Sequence, residues 1–170
     1  MNTQRRAAAI IVVVLAITSA VQAEKPSTPS QKETVVTNHA TGPFDVKLTP
    51  QPPDDKAQDA TLGRMSIDKQ FHGDLEAVSK GQMLTAGTTV KGSAGYVAIE
   101  RVSGTLHGRT GSFILQHSGM MNRNSPHLLI AVVPDSGTGQ LTGLTGTMNI
   151  IIAADGKHSY DFNYTLSQVP

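Results

Sequence analysis

Residues 94–121 read AGYVAIERVSGTLHGRTGSFILQHSGMM, and their periodicity decides the fold. Tyr96, Ala98, Val102 and Leu106 recur on even positions with Glu100 among them, while Arg101 falls with Val97, Ile99 and Ser103. Beyond the connection, Phe113, Leu115, His117 and Met121 share the odd positions. A period of two is the mark of a strand with one dry face, whereas a helix would repeat its apolar positions every three to four residues. His107-Gly108-Arg109-Thr110-Gly111 carries the turn chemistry of a hairpin slightly longer than the tightest kind. The two runs, 94–106 and 111–121, are therefore expected to be antiparallel neighbours.

Working outward, six further runs read as strands, at 34–48, 63–72, 75–86, 127–133, 145–153 and 159–166. In the second run of the chain Met65, Ile67 and Phe71 lie on one face and Arg64, Ser66, Asp68 and Gln70 on the other. In the last, Tyr160, Phe162, Tyr164 and Leu166 alternate with Asp161, Asn163 and Thr165. The run at 127–133 is apolar throughout its centre, which predicts that both of its faces are covered. His72-Gly73-Asp74 and Asp155-Gly156-Lys157 mark tight hairpins, and the proline-rich stretch 49–58 is read as a loop that ends the first strand. Met120 to Asn124 is taken as a further loop. Eight antiparallel strands with short connections close into a barrel or fold into a sandwich. Closure removes edges that invite aggregation, and sixteen glycines suit strands that must bend, so the expected fold is all-β, a small closed antiparallel barrel of about eight strands. A membrane-embedded barrel is disfavoured, because only four Phe and three Tyr and no Trp are available for aromatic girdles.

The start of the chain has a different character. Arg5-Arg6, the apolar run 7–17 and the small residues of Val21-Gln22-Ala23 match a secretory signal peptide, and the apolar run is shorter than the roughly 20 residues that a membrane span needs. The expected organisation is a signal peptide at 1–23, a polar flexible tether at 24–33 and one barrel domain at 34–170, with a periplasmic or secreted location and no membrane attachment after cleavage; a retained anchor is the alternative. Cleavage leaves 12 Lys plus Arg against 13 acids, so the mature net charge is about −1. Such a balance gives no cationic footprint for nucleic acid. The absence of cysteine leaves packing, not disulfides, to hold the domain.

The residues from Glu100 to Arg109 and from Ser112 to Gly119 resemble the signature of a bacterial family of unknown function, family 3224. The resemblance extends through Ala40-Thr41-Gly42-Pro43-Phe44-Asp45-Val46, Met65-Ser66-Ile67-Asp68-Lys69, Val132-Val133-Pro134-Asp135-Ser136-Gly137-Thr138-Gly139 and Gly156-Lys157-His158-Ser159-Tyr160. That family is thought to share the barrel of plant allene oxide cyclases and dirigent proteins, and the 137–146 segment is similar to their Gly-Thr-Gly hairpin. The resemblance implies a barrel that takes an apolar or aromatic small molecule and steers its reaction by shape. It brings no established catalytic residues with it.

Candidate site residues follow from parity. A charged group on the dry face of a barrel strand is costly unless paired or used. Glu100 and His117 are the catalytic candidates, as an acid and base facing an apolar interior. With a turn near Arg109, position 100 is expected opposite position 118. Lys69 shares its face with Met65, Ile67 and Phe71, so it reaches inward or snorkels at the rim. Tyr96 and Phe113 complete the expected ligand-binding set. The bland reading, a paired Glu100 and a core-satisfied His117, stands beside this one. His72 and Glu76 bracket a turn and are read as solvated. The six histidines show no His-x-His or His-x-x-x-His spacing, no phosphate-cradling Gly-x-x-x-x-Gly-Lys occurs, and Lys91-Gly92-Ser93-Ala94-Gly95 is not a nucleophile elbow. No metal and no cofactor are expected. The leading expectation is an exported barrel that binds a small apolar or amphipathic molecule, with isomerase or cyclase-like chemistry as an option; the alternative is a structural or interaction protein with a filled barrel. The apolar sixth strand suggests a homo-oligomer under either.

Overall fold

The computed structural model describes residues 36–52 and 61–167; the expected signal peptide and tether, and residues 53–58 of the expected 49–58 loop, lie outside that range. Eight strands, β1 (Asn38–Gln51), β2 (Leu62–Phe71), β3 (Leu75–Gly87), β4 (Ala94–Leu106), β5 (Arg109–Asn122), β6 (Ser125–Val132), β7 (Leu144–Ile152) and β8 (His158–Leu166), form a closed barrel in chain order. All neighbours are antiparallel, and β1 pairs with β8 to complete the ring. The expected all-β closed barrel is thus the observed one.

Four local expectations are corrected. β1 does not stop at Leu48: it continues through Pro50, paired with Met65, to Gln51, paired with Arg64. β1 pairs with β8 only as far as Phe44, so Pro50 sits where the strand has one neighbour and a missing N–H is tolerated. The β4–β5 turn is two residues long, with Leu106 opposite Arg109. His107 (φ 45°) and Gly108 (φ 78°) both occupy the left-handed region that the tightest hairpin turn requires. Met120, Met121 and Asn122 belong to β5 rather than to a loop, and the turn is Arg123-Asn124, again with both φ positive. The described residues do not supply the expected cover on both faces of the sixth strand: Ile130 and Val132 are buried, while Leu129 is 55% exposed.

The interior is layered. At one end, where the 72–74 and 107–108 turns and the 133–143 connection lie, aromatic side chains fill the barrel: Phe44, Phe71, Phe113, Tyr160, Phe162 and Tyr164 belong to one buried cluster, with Leu141 of a short 3-10 turn packed into it. Phe113 stacks on Phe162 with centroids 5.8 Å apart. Tyr160 donates its hydroxyl to the carbonyls of Thr41 and His72 and accepts from the N–H of Leu75, which ties three strand ends together. Toward the other end a smaller cluster of Ile67, Met83 and Ala98, flanked by half-buried Met65 and Tyr96, lies beneath the mouth. Between the two clusters lies a band of polar side chains.

Candidate functional site

Lys69, Ser79, Glu100 and His117 are the buried polar residues among those described, and they form one cluster on four consecutive strands. Parity places them: odd positions of β2, β3 and β5 and even positions of β4 face inward. Lys69 and Ser79 are direct cross-strand partners. Glu100 pairs with Gly81 on one side and with Leu115 on the other. Gly81 is needed there, because a Cβ would come within 2.5 Å of the Glu100 Cβ.

The Glu100 carboxylate organises the cluster. Its Oε1 accepts from Lys69 Nζ at 2.6 Å and from His117 Nε2 at 2.8 Å, and its Oε2 accepts from Ser79 Oγ at 2.5 Å. Burial pushes the Glu100 pKa up, yet the His117 hydrogen bond and the Lys69 charge outweigh it and lower the pKa to about 2. Glu100 is therefore ionised at neutral pH and has no proton to give. His117 Nε2 must then be the donor, and in the tautomer whose proton sits on Nε2 the other ring nitrogen, Nδ1, is an acceptor. No hydrogen bond to Nδ1 is made among the described residues, and the His117 side chain is 3% exposed. The Lys69 ammonium also lies 5.4 Å from the Phe44 ring centre and 5.7 Å from that of Phe71, a cation–π arrangement that roofs the aromatic core with charge.

Each sequence-derived candidate can now be placed. Glu100 and His117 meet, although not by the expected register. Ala98, not Arg101 as the expected register would have it, is the partner of His117, so Glu100 and His117 are diagonal neighbours on one face. An opposition of 100 to 118 would have put Glu100 and His117 on opposite faces; the two-residue turn restores matching parity. Lys69 reaches inward and is sealed there, 6% exposed, and does not snorkel at the rim. The Tyr96 ring lies over Gly119, 6.5 Å from the His117 ring, at the mouth side of the cluster. Burial raises its hydroxyl pKa, and the charge of Glu100 adds to the effect. Phe113 is separated from the cluster: it lies four positions along β5, within the packed aromatic core. His72 and Glu76 face solvent, 3.5 Å apart. Ser79 escaped sequence reasoning, since a lone serine in a strand carries no signal beyond its parity with Leu75, Ala77 and Met83. Among the described residues no group of three His, Asp or Glu side chains is arranged to hold a metal ion. Nor does any described helix have the length and apolarity to cross a membrane, which says nothing of strands.

Comparison with known proteins agrees with this architecture. A crystal structure of a protein with unknown function from the DUF3224 family of Shewanella oneidensis MR-1 superposes with a TM-score of 0.74 at 52% identity, covering 79% of this chain and 100% of that one. Among curated proteins none matches. The family described as "Protein of unknown function (DUF3224)" matches residues 40–164, which span β1 to β8. The chain belongs to the DUF3224 family.

Proposed function

We propose that this protein is an exported barrel that binds a small apolar or amphipathic molecule in its interior, with the polar part of the ligand at Glu100, His117 and Lys69. The observation that carries this reading is the unpartnered Nδ1 of His117 inside the barrel, on a ring held by an ionised carboxylate. A carboxylate that fixes one ring nitrogen as N–H turns the other into a positioned proton acceptor. Such a group can take a proton from a bound molecule and return it at another position, the elementary step of an isomerase or cyclase, with no oxidant or co-reactant. Half-buried Tyr96 and Met65 at the mouth give the apolar part of a ligand its first contacts. Export rests on residues 1–23, and the exposed Lys80–Asp68 ion pair on the barrel's outer wall suits a barrel surrounded by water.

The test is native mass spectrometry of the full chain purified from its own host. A co-purifying small molecule, retained by wild type and lost from a folded His117→Ala variant, is the expected result. A clean apo mass for wild type, together with no uptake of an amphipathic dye such as 1-anilinonaphthalene-8-sulfonate, overturns it.

A second reading is favoured by a different observation. On the outer wall Leu84, Val97, Ser118 and Leu129 form one cross-strand row, with Ile99 beside it, and Leu84, Val97, Ile99 and Leu129 are each at least half exposed. The row borders an open groove of about 530 Å³ that is flanked by Gln82 and Gln116 and by the charged Arg64. A second copy of this chain is the occupant that such a row of exposed apolar side chains fits, and a homo-oligomer is proposed on this basis. Val97→Lys combined with Leu129→Lys should lower the mass measured by light scattering to that of one chain; an unchanged mass removes this face from the interface.

A further inference from the structure

The barrel wall is uneven. Every neighbouring strand pair is joined by a continuous ladder except β6 and β7, which meet at one pair, Ala131 with Thr147. Toward the mouth this seam carries no pairing, so β6 residues 125–129 have β5 as their one strand neighbour among the described residues. All five are exposed whichever face they point to, whereas Ile130 and Val132 of the same strand are buried. The segment is a strand with a bare edge, standing clear of the packed interior. Alternation fixes which backbone groups lie on that edge. Val133 donates its N–H to the Ile114 carbonyl of β5. Successive residues of an antiparallel ladder turn their N–H and C=O to opposite sides, so Ala131, Leu129 and His127 face β5, while Leu128 and Pro126 present theirs to the bare edge. Pro126 suits that direction, because the N–H it lacks is owed to no neighbour. A second bare edge exists at β1 residues 45–51, beyond the last β8 pair at Phe44, and it differs in kind. Asp45, Lys47 and Pro50 stand there, residue types that blunt an edge against pairing. Residues 125–129 hold no acid, lysine or arginine and end in two leucines.

We propose that two copies of this chain join by antiparallel pairing of β6 with β6, about a two-fold axis at Leu128. The inference rests on the homo-oligomer reading above and names the joint. The edge is self-complementary, since reversal about Leu128 brings the same backbone groups together. Leu128 meets its own counterpart, and each donates its N–H to the other's carbonyl. Pro126 then lies opposite Ile130 of the second copy, and His127 opposite Leu129. One surface used twice satisfies both bare edges, as a two-fold contact requires. A lipid surface or an apolar small molecule offers these backbone groups neither donor nor acceptor, so an added strand is the occupant that fits. The pairing also supplies the cover that the apolar sequence of β6 calls for and the described residues do not give. Leu128, which shares the inward parity of Ile130 and Val132, meets Leu128 on the mouth side, and Leu129 packs beside His127 on the outer wall.

The test compares two substitutions at one position in the full chain, with mass read by light scattering and folding by circular dichroism. Leu128→Pro removes the edge N–H, which has no ladder partner among the described residues; Leu128→Ala keeps that N–H and trims the side chain. Wild type and Leu128→Ala are expected at the mass of two chains and folded Leu128→Pro at the mass of one. A Leu128→Pro chain that still associates overturns the joint and leaves the homo-oligomer reading standing. Equal loss of association in both variants assigns the contact to the leucine side chain and also overturns the pairing. Wild type at the mass of one chain, even at the highest concentration, overturns the homo-oligomer reading itself. Should Leu128→Pro not fold, Leu128→Cys decides, since the chain has no native cysteine. A hydrogen-bonded antiparallel pair holds its Cα atoms about 5.5 Å apart, within reach of a disulfide. Oxidation should therefore link two copies through position 128 and not through Val78→Cys, an exposed site on the outer wall of β3. Equal linking from both positions overturns the joint.

Discussion

Glu100 accepts hydrogen bonds from side chains of β2, β3 and β5 while itself standing on β4, so one carboxylate ties four strands at the middle of the barrel. Removing one member of a buried ion pair leaves the other charge without compensation, which costs about 3–5 kcal/mol. Glu100→Gln should therefore lower the stability of the barrel by that amount, read from urea unfolding at pH 7, because it strands the Lys69 ammonium among Phe44 and Phe71. The same carboxylate sets an acid limit. Its pKa is lowered by folding from 4.5 to about 2, so the folded state gains stability above the ordinary value and loses it as pH falls from about 4.5 toward 2. A plot of unfolding free energy against pH should fall through that window for wild type and run flatter for Glu100→Gln; parallel curves would show that another group controls the acid limit. Parity sufficed to find Glu100, His117 and Lys69 in the sequence, because a charge on the dry face of an alternating strand is conspicuous. It could not say that Lys69 pairs rather than snorkels, since that depends on the neighbouring strand's register. Phe113 shows the opposite limit: parity puts it inside the barrel without telling how far along the axis it lies.

At the scale of the hairpin, the β4–β5 connection explains why the expected register was wrong by three residues. His107-Gly108-Arg109-Thr110-Gly111 contains two glycines, and composition favours a turn near its centre; the chain instead turns at His107-Gly108, with the non-glycine His107 at positive φ. A contact absent from the local sequence stabilises that choice: His107 Nδ1 meets the Tyr164 hydroxyl of β8 at 2.7 Å. Gly108 tests the account cleanly, since a Cβ there would touch nothing within 4 Å while its φ of 78° remains unfavourable for any other residue. Gly108→Ala should cost about 1 kcal/mol through backbone strain alone, measured by thermal unfolding. A neutral effect would mean that the turn relaxes to a different type. The strands themselves were legible because most of them alternate, and the ends that were missed, at Pro50 and at Met120 to Asn122, are those where turn-forming or uninterpretable residues continue a ladder. The β6–β7 seam was invisible to the same reading, as the apolar run of β6 looks like a strand paired and covered on both sides.

For the whole molecule, closure of the ring does not mean uniform strength. Opening should begin where a strand is held on one side only, and local exchange follows backbone bonds that few contacts protect. In the single chain, amide hydrogen exchange should therefore be fastest, among strand residues, in the β6 segment 126–129 and the β7 segment 149–152, and slowest in β3 and β4, whose neighbours pair along their full length. Equal protection of β6 and β4 would contradict the picture of a seam. The layered interior also ties stability to the proposed binding role: the aromatic core holds one end, the charged band lies above it, and the thin apolar layer of Ile67, Met83 and Ala98 leads to the mouth.

All of this depends on an ionised carboxylate kept inside the barrel with a histidine and a lysine as its partners. The side-chain carboxyl ¹³C shift of Glu100, followed by NMR in uniformly labelled protein and assigned with Glu100→Gln, measures that state directly. The shift should remain that of a carboxylate down to a pH of about 2, or to the point of acid unfolding. A titration midpoint at 4.5 or above in the folded protein would contradict the account.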